Sequence, residues 1–125
     1  MILLDSNIVI YAAEPEYKKL REWLRSRSIT ISELTKLEVL GYHQLAGDEF
    51  EWFTGFFDSI QSISISTDII DTAIPLRRSY KMSLGDSVIA GTALVHNLDL
   101  CTNNQKDFQS VENLRLVNIR NYIPE

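Results

Sequence analysis

Met1-Ile2-Leu3-Leu4 runs directly into Asp5-Ser6-Asn7, and the reading of that junction decides the architecture. A short apolar run that stops at residues favoured at helix starts is a buried strand emptying into a turn or helix, so Asp5 belongs at a strand's carboxyl end. The alternation continues downstream. From Glu16 to Arg27, Tyr17, Leu20, Trp23 and Leu24 recur at helical spacing among charges, which predicts a surface helix. Ile29-Thr30-Ile31 predicts a second strand, and Ser32 caps a helix whose apolar face carries Leu34, Leu37, Leu40 and Gly41, with Glu38 beside that stripe.

Asp48 to Phe57 holds an aromatic band of Phe50, Trp52, Phe53, Phe56 and Phe57, read as core or oligomer contact in preference to a ligand site because aromatic side chains dominate burial and pair readily across interfaces. Ile63 and Ile65 alternate with serines as in a strand. Thr67 or Asp68 caps the next helix, in which Pro75 predicts a kink or break. Gly85 and Asp86 open an apolar helix through Val88, Ile89, Ala90, Ala93 and Leu94, whose small residues imply close central packing. Leu98–Thr102 and Leu116–Ile119 are the last expected strands, separated by a polar stretch, Asn103–Asn113, with room for a short helix. Strands alternating with helices predict a mostly parallel α/β sheet covered on both faces, a class that binds ligands at the carboxyl ends of its strands.

Composition bounds the answer. A chain of 125 residues, 45% of them hydrophobic, suits one domain over residues 1–125, and no linker or repeat divides it. The lone Cys101 forms no internal disulfide and fits a core role, which together with the absence of a signal-like start or membrane-length apolar run leads to the expectation of a soluble, cytoplasmic protein with no membrane partner. A net charge of −5 argues by itself against a nucleic-acid partner. That objection weakens if clustered carboxylates hold cations, because the metal then supplies the local positive field.

Asp5 at a strand end, Glu38 beside a helical stripe and Asp86 at a helix start can converge on one rim. Carboxylates gathered in a partly buried site take up protons unless a cation keeps them ionised, and Mg²⁺ or Mn²⁺ held by carboxylates and waters activates water against a phosphodiester. Each acid also has a plain structural role available: Asp5 and Asp86 as helix caps, and Glu38 as an ion-pair partner of Lys36 or Arg77. Spacing alone leaves the two readings balanced.

Whole motifs go further. Ile2-Leu-Leu-Asp5-Ser-Asn7, Ile31-Ser-Glu-Leu-Thr35-Lys-Leu-Glu38-Val-Leu-Gly41, Asp86-Ser-Val-Ile89-Ala-Gly-Thr-Ala93 and Leu100-Cys-Thr102-Asn-Asn104-Gln-Lys-Asp107-Phe108 resemble, in order and spacing, the PIN-domain ribonuclease family, which includes the toxin halves of bacterial type II toxin–antitoxin pairs. The resemblance implies a three-layer α/β/α sandwich with a short, mostly parallel sheet and Mg²⁺- or Mn²⁺-dependent endoribonuclease activity. It implies catalytic, metal-holding acids at Asp5, Glu38 and Asp86. Many PIN domains carry an acid where this chain has Asn104, so either Asn104 serves through the metal's water shell or Asp107 substitutes, the second being preferred. Asn7 and Thr102 match polar residues that support the site, and Pro75 departs from the continuous helix expected before the third motif. The resemblance also implies an RNA substrate, a small antitoxin bound to the aromatic or active-site face, and a homodimer. RNA contacts are assigned to Arg77, Arg78 and Lys81, in preference to the basic residues between Lys18 and Arg27.

Other classes fit less well. A receiver-like phosphoacceptor domain needs a paired acid after the first strand and a late lysine, and a haloacid-type phosphatase needs an Asp where Asn7 stands. Ser6 and Ser87 lie in no nucleophile elbow, and His43 and His96 complete neither a triad nor a zinc site. A PIN scaffold without catalysis remains the alternative within the family.

Overall fold

The computed structural model describes residues 1–123. β1 (Ile2–Leu4) leads through Asp5 into α1 (Ser6–Ala12), followed by a 3-10 turn at Pro15–Tyr17 and α2 (Lys18–Arg25). β2 (Ile29–Ser32), α3 (Glu33–Leu40), α4 (Gly47–Asp58) and β3 (Ser62–Ile63) come next, then α5 (Thr67–Tyr80), α6 (Leu84–His96), β4 (Asp99–Cys101) and the short α7 (Gln105–Phe108). The strands form one sheet in the order β3-β2-β1-β4, and every neighbouring pair is parallel. The α/β/α sandwich is thus the observed architecture.

Strand periodicity explains the two layers. Successive side chains of β1 point to opposite faces: Ile2 and Leu4 join Ile8, Leu20, Val39, Phe53 and Phe57 on one side, whereas Leu3 joins Leu76, Ile89, Ala93 and Phe108 on the other. α1 to α4 therefore cover one face, and α5 to α7 the other. A strand buried on both faces must be apolar throughout, which is why Ile2-Leu3-Leu4 shows no polar alternation.

Several local expectations are corrected. Leu37, expected on the buried stripe of α3, is 69% exposed, and the buried positions are Thr35 and Val39. The cause is the junction: β2 passes into α3 without a loop, so the Ser32 cap, which accepts from Leu34 N at 3.1 Å, fixes the helix's rotation before its apolar pattern can. The aromatic band of α4 divides, with Phe53 and Phe57 buried and Phe50 and Trp52 exposed. The cap of α5 is Ser66, whose hydroxyl accepts from Ile69 N at 3.2 Å, in place of Thr67 or Asp68. Pro75 neither breaks nor ends α5. It removes the helical donor to the Asp71 carbonyl, but both residues are exposed, so the carbonyl is open to solvent and the loss is tolerated. Ile65 lies outside β3, and Leu116–Ile119 contributes only a bridge from Leu116 to Leu100. There the Val117 carbonyl accepts from Gln105 Nε2 at 3.2 Å, so a side chain takes the place of a further strand bond.

The expectation for α6 holds. Ser87 through Ala93 are all buried, and the Ser87 and Thr92 hydroxyls are satisfied by the carbonyls of Leu84 and Val88. Gly91 faces α5 so closely that a Cβ there would lie 3.1 Å from the Ile69 carbonyl oxygen and 3.4 Å from Ala73 N. Backbone cannot yield as a flexible side chain can. Gly91→Val is expected to lower the unfolding free energy by about 1–3 kcal/mol, read from a urea titration; an unchanged midpoint would show that α5 and α6 separate freely.

Candidate active site

The site follows from the register of β1 and β4. Leu4 pairs with Cys101, so the residues just beyond, Asp5 and Thr102, emerge together at the sheet's carboxyl edge, and Asp5 N donates to the Cys101 carbonyl at 2.9 Å. The chain progresses from β1 to β2 and β3 on one side, then crosses back to β4 on the other. That reversal opens a crevice between the carboxyl ends of β1 and β4, where parallel α/β sheets take their ligands.

Asp5 is 5% exposed and closely supported. Its Oδ1 accepts from Ser6 N at 2.9 Å, and its Oδ2 accepts from the Thr102 hydroxyl at 2.8 Å and from Asn7 Nδ2 at 3.4 Å. Thr102 Oγ1 in turn accepts from Asn104 N at 3.0 Å, which ties the loop after β4 to the same carboxylate. Asp5 therefore does cap α1, and its carboxylate is tied besides to the end of β4 through Thr102.

Asp5 shares a cleft of about 340 Å³ with Asn7, Glu38, Ser83, Asp86 and Asn104. Glu38 reaches it from the open rim of α3, and Asp86 stands half-buried in the first turn of α6. The two walls are close: a Cβ on Gly85 would lie 3.8 Å from Glu38 Oε2. Ser83 caps α6 by accepting from Asp86 N at 3.1 Å, so Asp86 is not itself the cap and its carboxylate is available to the cleft. Ion pairs among the described residues are Lys18–Glu22 and Arg115–Asp99; neither involves these acids, and Glu38 is not paired with Lys36 or Arg77.

The electrostatics follow. Burial raises the pKa of Asp5 against the opposing hydrogen bonds of Thr102, Ser6 and Asn7, with a further push from Asp107. Partial burial raises Glu38, reinforced by the charges of Asp5 and Asp86. Asp86 is raised by burial and then by Asp5 and Asp107, against the Ser83 hydrogen bond. Asp107 thus acts on the cleft through its charge from α7, whereas Asn104 lines the cleft directly. Beneath Asp5, burial and its charge push the Cys101 thiol up to about 12, so Cys101 is an unreactive core residue.

The donors suit a hard divalent ion, since they are oxygens, mutually repelling and without a paired cation. Among the described residues no three acidic, His or Cys side chains gather tightly enough to grip one ion directly. A cation that keeps several waters fits this better than one requiring an all-protein cage, and Mg²⁺ behaves in that way.

Other expected residues lie elsewhere. Arg77, Arg78 and Lys81 are exposed at the end of α5, upstream of Ser83, and none lines the cleft. Arg21 binds the carbonyls of Ala12, Glu14 and Pro15 and so braces the turn between α1 and α2. Ser87 is buried, and His43 and His96 are exposed, away from any catalytic pairing. Sequence reasoning missed Ser83 and Asn103. Ser83, three residues before Asp86, carries a capping signal; Asn103 N donates to Asn7 Oδ1 at 3.1 Å across a sequence separation that no local pattern reveals.

The shift directions make a stability prediction. An acid with a raised folded-state pKa binds more protons when folded, so stability falls as pH rises from the unfolded value of about 3.9 through the folded one, and the loss persists at neutral pH. In EDTA at pH 7, Asp86→Asn is expected to melt above the parent, with the gap closing as pH approaches about 4. A variant that melts lower at pH 7 and stays lower at pH 4 would mean that the Asp86 carboxylate stabilises the fold.

The sequence model described as PIN domain matches residues 2–114. Similar solved structures include a toxin–antitoxin complex from Klebsiella pneumoniae, 28% identical over 91% of this chain and 95% of that one with a TM-score of 0.76. Two more share the fold: VapBC2 from Rickettsia felis bound to a DNA fragment from its promoter, with 24% identity over 94% and 98% of the chains and a TM-score of 0.82, and DNA-bound VapBC from Salmonella typhimurium, with 20% identity over 93% and 96% and a TM-score of 0.83. No curated protein matches the chain in sequence.

Proposed function

The chain belongs to the PIN-domain family, and from that premise we propose that it is a Mg²⁺- or Mn²⁺-dependent endoribonuclease, the toxin of a toxin–antitoxin pair. The observation that carries the reading is the convergence of Asp5, Glu38 and Asp86 on one cleft at the sheet's switch point, each with a raised pKa and none in an ion pair among the described residues. A structural role alone gives no reason to collect repelling carboxylates there.

A bound divalent ion supplies water activation and neutralises charge developing on the phosphodiester. The chain's own residues prepare for it. Thr102 and Asn7 direct the Asp5 lone pairs, and Ser6 N holds the other carboxylate oxygen, so that Asp5 is oriented before any ligand arrives. Asp86 and Glu38 face the cleft from α6 and α3, and the Asn104 amide takes the place of a further charge, with Asp107 adding negative potential behind it. The same departure at Asn104 is what favours a scaffold without catalysis, and the assay below separates the two.

The partner in this reading is a small antitoxin, as in the toxin–antitoxin complex of similar structure. Its seat is the apolar groove of about 600 Å³ floored by Val39, Leu45, Trp52 and Phe53, which shares Ser6, Ile10 and Glu38 with the acidic cleft. A homodimer is also part of the proposal, for which exposed Ile70 and Ile74, one turn apart on α5, offer an apolar stripe.

The test is cleavage of a mixed structured RNA with EDTA, Mg²⁺ or Mn²⁺, beside Asp5→Asn and Asp86→Asn. Cutting is expected only with metal and in neither variant; metal-independent cutting, or parental rates in the variants, would overturn the assignment. Binding gives a second readout: Thr102→Val is expected to weaken Mn²⁺ binding, by calorimetry, about 10–100-fold, because Asp5 loses the hydroxyl that orients it.

A further inference from the structure

α1 separates two different surfaces. Ser6, Ile10 and Ala13 line the apolar groove, while Tyr11, one turn after Asn7, lines a polar cavity of about 740 Å³ on the opposite flank. Asn7 and Asn103 form the partition between this cavity and the acidic cleft. Asn7 lines the cleft and donates to Asp5, Asn103 N donates to Asn7 Oδ1 at 3.1 Å, and Asn103 Nδ2 donates to the Tyr11 hydroxyl at 3.2 Å on the cavity side.

The cavity combines what a nucleobase needs. Tyr11 and Tyr17 stack with ring centroids 5.0 Å apart and planes 14° apart, giving an ordered aromatic wall. Asn103, Gln109 and Asn118 bring amide donors and acceptors, and Arg120 brings a positive charge that takes part in neither ion pair of the described residues. Gln109 and Arg120 are exposed at the cavity, whereas the tyrosines are half-buried and held by the core. Amides are suited to base edges, aromatic rings to base faces, and a guanidinium to either a phosphate or a stacked base. In an acidic chain this is an economical grip, because a neutral base needs no broad basic surface.

We propose that this cavity is a base-binding subsite for single-stranded RNA, seating an unstacked nucleobase of the strand whose neighbouring phosphodiester lies in the acidic cleft. Tyr11 and Tyr17 form its aromatic wall, Gln109 and Asn118 contact the base edge, and Arg120 contacts the flanking phosphate. The proposal rests on the nuclease reading for the role of the cleft, but binding at the cavity is measurable without catalysis.

The experiment measures fluorescence anisotropy of a short, labelled, mixed-sequence oligoribonucleotide in EDTA, against an abasic ribose–phosphate oligomer of the same length. The parent is expected to bind the base-bearing strand about tenfold more tightly than the abasic one, and Arg120→Gln and Gln109→Ala, both at exposed positions, to weaken binding of the base-bearing strand while melting as the parent does. Tyr11→Phe keeps the ring and is expected to retain that preference. Equal binding of the two strands, parental affinity in both variants, or no binding by the parent would each overturn the subsite. Metal-dependent cutting of the same strand by the parent is scored separately. Cutting without a base preference leaves the nuclease reading standing and removes the subsite; a base preference sensitive to Gln109, without cutting under any metal, does the reverse.

Discussion

The hydrogen bond from the Thr102 hydroxyl to Asp5 Oδ2, at 2.8 Å, is where the fold and the candidate chemistry meet. It joins residues 97 positions apart in the chain and exists because β1 and β4 lie side by side, parallel and in register. With both side chains buried, the bond has no competition from water and holds the carboxylate in one orientation. Slipping β4 by one residue would turn Thr102 to the other face of the sheet and leave a buried acid without its donor.

The same register sets the cost of the site. Asp5 is drawn into the interior by the strand that carries it, and its hydrogen bonds oppose its desolvation without cancelling it, so its pKa stays raised. Glu38 and Asp86 add to the repulsion from two further elements. Local consistency elsewhere supports this frustrated region: Ser32, Ser66 and Ser83 all cap helices, and the small residues of α6 let α5 approach closely behind it. A cluster of repelling acids outside any ion pair of the described residues, set in a fold whose neighbouring helices are well capped, is the kind of local inconsistency that supports the proposed role of the cleft.

α1 gives the surface its division of labour. Because its residues recur every three to four positions on one face, the helix presents Ser6 and Ile10 to an apolar groove and Tyr11 to a polar cavity, while Asn7, one turn before Tyr11, lines the acidic cleft between them. An apolar groove suits a protein segment, and a polar cavity with stacked aromatic rings suits a base. Occupation of the groove would crowd Glu38 and Ser6, which gives a protein partner access to the cleft without touching the cavity.

The sequence by itself determined the layer order, since a run such as Ile2-Leu3-Leu4 and helical spacing such as that from Tyr17 to Leu24 are local patterns, and it singled out Asp5, Glu38 and Asp86 from their motifs. The close packing along α6 was legible for the same reason, because small side chains at helical spacing admit a neighbour wherever it comes from. Tertiary structure decided the rest. Leu37 points outward because a loop-free strand–helix junction sets the rotation of α3, Leu116–Ile119 pairs at one residue because Gln105 reaches the Val117 carbonyl, and Asn103 joins Asn7 only when β4 is laid beside β1. Periodicity reports which face of an element is apolar, but the partner and rotation of that element are fixed by contacts between residues far apart in the chain, and no local pattern encodes those.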